Sequence, residues 1–255
     1  MKKNIVKKKL SSNEKVIGTW IRNLGSIYLI QLIAKSGFDF VYIDMEHSSM
    51  TMDTVSNLCL NAQLAGLVPI VRPADKLPHL IAKPLDCGAM GLLVPNVETV
   101  GEAIRVIQYA KYKPLGKRGV NLQGVHSNFI RLEGKYFTNF MNKESIIIVQ
   151  IESKKGIKNI HDILAVEGID GAVIGRNDLS LDLNIPGEVH HSLVNDAVNK
   201  LIKECKEINK YPGLLVNNID EAKYWIEKGI KIIVYSNATN LLLGIYQKII
   251  KELSD

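Results

Sequence analysis

Short runs of β-branched and aliphatic residues recur along this chain without polar alternation, and amphipathic stretches separate them. The longest run, IIIVQIE at 146–152, is unbroken until it stops at a carboxylate. Such a run reads as a strand buried on both faces, as in a parallel sheet. VIGTW (16–20), FDFVYID (38–44), LVPIVRP (67–73) and AMGLLVP (89–95) follow the same rule, as do DGAVIG (170–175), PGLLV (212–216) and KIIVY (231–235). Between them the spacing predicts helices over 26–35, stopped by Gly37, over 51–65, closed by Gly66, and over 77–88 and 97–112. Further helices are expected over 153–164, 191–208, 219–228 and 241–253. Only residues 113–142 break the alternation, with the Gly- and Asn-containing stretch KPLGKRGVNLQGVHSNF. That is long for a plain connection, and long loops in compact domains are often functional.

Eight strands alternating with eight helices, without a linker or a composition break, predict one (β/α)₈ TIM barrel spanning 1–255. An open doubly wound sheet is the alternative, but no GxGxxG follows the first strand. The net charge of +6 is spread along the chain, and its one cluster, KKNIVKKK, makes residues 1–14 read as a basic, solvated leader. No nucleic-acid motif accompanies it. No apolar run is long enough for a membrane span, and no signal-peptide core follows the lysines. Cys59, Cys87 and Cys205 lie far apart in helix-like segments, which fits free thiols in a reducing, cytoplasmic setting.

In a barrel every strand end opens on one face. Trp20, Arg22, Asp44 to His47, Arg72, Gln150, Glu152, Asp178, Leu215 and Asn217 should therefore converge. Glu152 and Asp178 offer two hard oxygen ligands that suit Mg²⁺ or Mn²⁺; each carboxylate could equally cap a helix. His47, in a polar turn past a buried strand, suits proton transfer if a partner orients its ring, and Asp86 is a candidate partner. Arg72 needs an anion, either a substrate oxygen or a salt bridge to Asp44 or Glu46.

Together these residues resemble the HpcH/HpaI aldolase family of metal-dependent class II pyruvate aldolases. The resemblance runs over about 16–243 through IGTW, GFDFVYIDMEH, VPIVRP, PLDCGAMGLLVPNV, KPLGKRGV, VQIES and GIDGAVIGRNDLS. It implies a barrel whose final helix is exchanged between subunits, in a hexamer built as a trimer of dimers. It also implies a divalent metal, Mg²⁺ or Mn²⁺ with Co²⁺ or Ca²⁺ as further options, on Glu152 and Asp178. Arg72 would bind the pyruvyl oxygens and His47 with Asp86 would form a proton-transfer dyad. Glu46 and Gln150 match polar positions beside the metal, and Trp20 and Leu215 match the acceptor pocket. The implied reaction is cleavage or formation of 2-keto-4-hydroxy acids through a pyruvate enolate. The chain departs from the family pattern at GRNDLS, where Arg176 adds a cation next to Asn177 (both candidate substrate-binding residues), at Arg22, at RGVN with His126 following, and at VYSNAT. Arg22, Arg72, Arg118, His126 and Arg176 would make the mouth cationic and favour several carboxylates. That leaves open a citrate synthase-like condensation of oxaloacetate with acetyl-CoA, as in siderophore pathways. A CoA-ester lyase and a non-enzymatic scaffold fit the same residues less well.

Overall fold

The computed structural model describes residues 2–254. Its eight strands are β1 (Val16–Ile21), β2 (Phe40–Asp44), β3 (Val68–Arg72), β4 (Gly91–Val94), β5 (Ile146–Ile151), β6 (Gly171–Ile174), β7 (Tyr211–Val216) and β8 (Ile232–Asn237). All pair in parallel and in sequence order, and β8 returns to β1 to close the barrel. The helices are α1 (Ile5–Ser11), α2 (Ile27–Lys35), α3 (Met52–Leu64), α4 (Pro78–Asp86), α5 (Val100–Ala110) and α6 (Gly134–Glu144), followed by α7 (Lys154–Lys158), α8 (Ile160–Ala165), α9 (Arg176–Asp182), α10 (Ser192–Glu207), α11 (Ile219–Lys228) and α12 (Ala238–Ser254). The predicted helix over 153–164 is two pieces that meet at Asn159. The 113–142 segment contains a single 3₁₀ turn, Val125–Ser127, and most of α6, which runs on to Glu144.

Most helices that follow a strand start where a side chain accepts a first-turn N–H: Ser26, Thr51, Thr99, Ser153 and Asn218 all do so. These caps fix the exit of each loop on the face where the strands end, and so hold that face in shape. Strand residues pointing outward pack with the helices in one apolar layer, and those pointing inward form a second layer that includes Trp20, Phe40, Tyr42, Ile70, Leu93 and Ile148.

The basic N-terminal segment is not a solvated leader. Val6 and Leu10, four residues apart and therefore on one face of α1, are fully buried and belong to the inner layer. Asn4 ties the helix to two strand beginnings, its side-chain amide donating to the Met90 and Glu144 carbonyls at 3.1 and 2.9 Å. Lys7 and Lys9 pair with Asp170 and Asp39 at 2.8 and 2.5 Å. The sequence window was too short for its periodicity to show, and its five lysines masked two apolar anchors.

Candidate active site at the carboxyl ends of the strands

The Cα register pairs Asp44 with Arg72 across β2 and β3, and their side chains lock together. Arg72 is 2% exposed and Asp44 fully buried. The guanidinium donates from Nε to Asp44 Oδ1 at 2.9 Å and from Nη2 to Oδ2 at 2.6 Å. Nη1 lies 2.7 Å from Glu46 Oε2, so both acids anticipated as salt-bridge partners are used at once. Arg22 Nε approaches Asp44 Oδ2 at 3.0 Å. Both guanidiniums lie over the Trp20 ring, Arg72 at 4.5 Å and Arg22 at 5.0 Å from its centroid. Burial pushes the Asp44 carboxyl up, but the Arg72 hydrogen bonds and charge, with Arg22 and the His47 amide, hold it below the usual carboxylate range. Asp44 is the residue whose importance the sequence understated.

Glu152 sits just past β5 and is 8% exposed. Its Oε1 accepts the Asn96 backbone N–H at 2.7 Å, and its Oε2 accepts from the Gln150 side-chain amide. Burial raises its pKa to about 7; the Gln150 bond opposes this, while the negative charges of Asp178 and Glu46 add to it. Glu46 is also raised, by burial first and then by Asp44 and Asp178, against the pull of Arg72 and His47. Neither candidate ligand acts as a helix cap. Ser153 caps α7, and the N-cap of α9 is Gly175, with Asp178 in the first turn. Gly175 is required: a Cβ there would lie 2.3 Å from Glu152 Oε2 and 2.8 Å from Gln150 Nε2. Glu152, Glu46 and Asp178 lie near enough to feel one another's charge, and oxygen donors of this kind fit a hard divalent cation. Among the described residues, a separate trio of possible ligands, His161, Glu204 and Glu207, lies on the outer surface.

A cavity of about 230 Å³ opens beside these groups, lined by Trp20, Arg22, His47, Arg72, Gln150 and Asp178 among others, while Glu152 and Glu46 do not themselves line it. Residues 17–243 match the HpcH/HpaI aldolase/citrate lyase family. This chain belongs to that family. Among its relatives is the 4-hydroxy-2-oxo-heptane-1,7-dioate aldolase of Shigella sonnei, 34% identical over 94% of this chain and 90% of the relative. Similar solved structures include the HpcH/HpaI aldolase from Desulfitobacterium hafniense DCB-2, with 28% identity, TM-score 0.94 and coverage of 98% and 96% of the two chains. The citrate synthase SbnG has 27% identity, TM-score 0.86 and coverage of 97% and 95%. Aldolases and citrate lyases both break a carbon–carbon bond, and this HpcH/HpaI member is a carbon–carbon lyase.

Three residues anticipated at the HpcH/HpaI site stand elsewhere in this chain. Asp86 closes α4, which runs from the strand-end face back toward the strand beginnings, while His47 follows β2 at the opposite end. Within one subunit the His47–Asp86 dyad therefore does not form. Asp86 instead holds Arg118 by its side chain and His126 by its carbonyl, the latter at 2.9 Å. Arg118 and His126 are accordingly not part of the mouth. His47 is half-exposed on the cavity wall with Glu46 Oε2 3.8 Å from its Nε2. Arg176 does reach the cavity, but its charge is matched: Nη1 donates to Glu221 Oε1 and Nη2 to the Leu215 carbonyl, both at 2.6 Å. Nothing in the sequence spacing pointed to Glu221, which comes from α11. Asn177 and Leu215 line the cavity as anticipated.

Proposed function

We propose that this protein is a divalent-metal-dependent class II aldolase that cleaves or forms 2-keto-4-hydroxy acids through a pyruvate enolate. The observation that carries the reading is a mutually repelling set of carboxylates just past β5 and β6, near a buried arginine that ends β3, with Arg72 and Asp178 both lining one cavity. Glu152 and Asp178 would hold the cation, Mg²⁺ or Mn²⁺ by the all-oxygen donors with Co²⁺ or Ca²⁺ compatible, and its chemistry is Lewis-acid polarisation of the keto oxygen. Arg72 spends two of its five N–H bonds on Asp44 and is held by charge to Glu46, which leaves N–H groups of its terminal nitrogens for the oxygen that becomes negative as the C3–C4 bond breaks. His47 takes the 4-hydroxyl proton as that carbon becomes an aldehyde, and protonation at C3 then releases pyruvate. Gln150 steadies Glu152, and Trp20 supports the two guanidiniums. No Schiff-base lysine is needed.

The test is pyruvate release from 4-hydroxy-2-oxo acids with Mg²⁺ or Mn²⁺, run beside thiol release from acetyl-CoA plus oxaloacetate. Pyruvate without thiol is the expected result. Thiol without pyruvate would replace this reading with the citrate synthase-like one, for which the likeness to SbnG speaks. The cavity size favours a small keto acid, since the bulk of CoA would have to lie outside it.

The same reading makes α12 an exchanged helix. Leu242, Leu243, Ile245, Tyr246, Ile249 and Leu253 are all exposed, and only Ala238 of this helix is buried. An apolar helix face of that extent needs a partner, and a dimer that swaps it, three to a hexamer, covers it. Removing residues 241–254 should turn the assembly into smaller species in analytical ultracentrifugation. An intact chain that sediments as a monomer would refute the exchange. For compartment, the three cysteines are free and no described helix is long and apolar enough to cross a membrane, which supports the cytoplasm.

A further inference from the structure

Three arginines line the cavity, and their nitrogens are committed very differently. Arg72 is fixed by Asp44 and Glu46 and nearly sealed from solvent. Arg176 has given one terminal nitrogen to Glu221 and the other to the Leu215 carbonyl. Arg22 touches Asp44 through Nε alone, at 3.0 Å, with its carbon resting over the Trp20 ring. Its two terminal nitrogens make no hydrogen bond among the described residues, and the side chain is 36% exposed. Held beside Asp44 by charge alone and against Trp20 by its flat face, the head is kept in place while its N–H groups remain without a protein acceptor among the described residues. A guanidinium so presented matches a carboxylate in two parallel hydrogen bonds.

The order of strands says which end of a substrate would meet it. In an eight-stranded barrel closed in sequence order, β1 lies diametrically across from β5. Arg22 follows β1, and Glu152 follows β5 with Asp178 next to it after β6. A keto acid gripped on the β5–β6 side, with Arg72 of β3 on its flank, therefore extends its far end across the mouth toward Arg22.

We propose that Arg22 is the specificity-determining residue for a carboxylate on the acceptor half of the substrate, so that the chain works on keto di-acids in preference to keto acids with a neutral tail. This rests on the aldolase reading and sharpens it. The alternative is that Arg22 only braces Asp44, in which case its removal would affect every substrate alike.

The decisive comparison is kcat/KM for 4-hydroxy-2-oxo-heptanedioate and for 4-hydroxy-2-oxopentanoate, in wild type, Arg22→Leu and Arg22→Lys. Arg22→Leu should lose about 100-fold on the di-acid, mainly through KM, and at least about tenfold less on the pentanoate, with Arg22→Lys between them. Equal losses on both substrates would overturn the proposal. A second arm needs no turnover: ligand-observed NMR of butyrate and of butyramide against the pyruvate- and Mg²⁺-loaded protein. Butyrate should bind more tightly than the neutral amide in wild type and lose that advantage in Arg22→Leu. If the two bind alike in wild type, Arg22 is not a carboxylate site. Should neither hydroxy-keto acid release pyruvate, the aldolase reading fails while the binding arm still decides the role of Arg22.

Discussion

Asp44→Ala is expected to lower stability by roughly 3–5 kcal/mol, because it strands the guanidinium of Arg72 in a site from which water is excluded. Both hydrogen bonds that position Arg72 end on this one carboxylate, with the Glu46 ion pair beside them. Losing them frees the arginine to swing toward Glu46, whose own carboxylate belongs to the cluster facing Glu152 and Asp178. Activity should therefore fall about 10²–10³-fold, the scale seen when a preorganised donor to a developing oxyanion is lost. Asp44→Asn keeps one acceptor and should fall between alanine and wild type in both respects. Denaturant midpoints and kcat/KM on one protein preparation measure the two effects together. Stability within about 1 kcal/mol of wild type in Asp44→Ala would mean that Arg72 finds its support elsewhere.

Glu152→Gln should abolish divalent-metal binding and turnover, and yet give a metal-free protein that is more stable than wild type in mild alkali. The folded carboxyl holds its proton up to about pH 7, against 4.5 for an ordinary glutamate. Between those values the native state binds more protons than the unfolded chain, so metal-free wild type loses stability as pH rises through that window. Above it the ionised group sits buried beside two like charges, a deficit of roughly 3 kcal/mol. Glutamine keeps the shape and the acceptor for Asn96 without the charge, and should flatten that part of the curve. Mg²⁺ or Mn²⁺ should restore wild type at pH 8 and leave the variant unmoved. Thermal or urea unfolding of both proteins from pH 5 to 8.5, with and without metal, measures this; parallel curves for the two metal-free proteins would show that Glu152 carries no such strain.

The strands and their order were legible because a doubly buried strand leaves an uninterrupted apolar run, and eight of them stand in the sequence. The ends of those runs pointed to Trp20, Arg72 and Asp178, which line the cavity, and to Glu152 just past β5. What sequence order does not encode is which end of a helix faces the site. Asp86 resembled a dyad member by its motif, but it stands at the far end of α4, where it holds Arg118 and His126 in a second polar cluster. The charge count at the mouth failed likewise, because Arg176 is neutralised by Glu221 from an element forty-five residues away. The loop over 113–133 connects α5 to α6 at that same far end, so its length serves the barrel's floor within this subunit.

That floor carries a consequence for how the chain reaches its final form. Val6 and Leu10 are buried among residues drawn from β1 through β8, including Ile232 and Val234 of the closing strand. The cavity that receives them exists only after the two ends of the chain have met. The short helix is thus a plug whose seat is built from both ends of the chain, and it closes the inner layer from below.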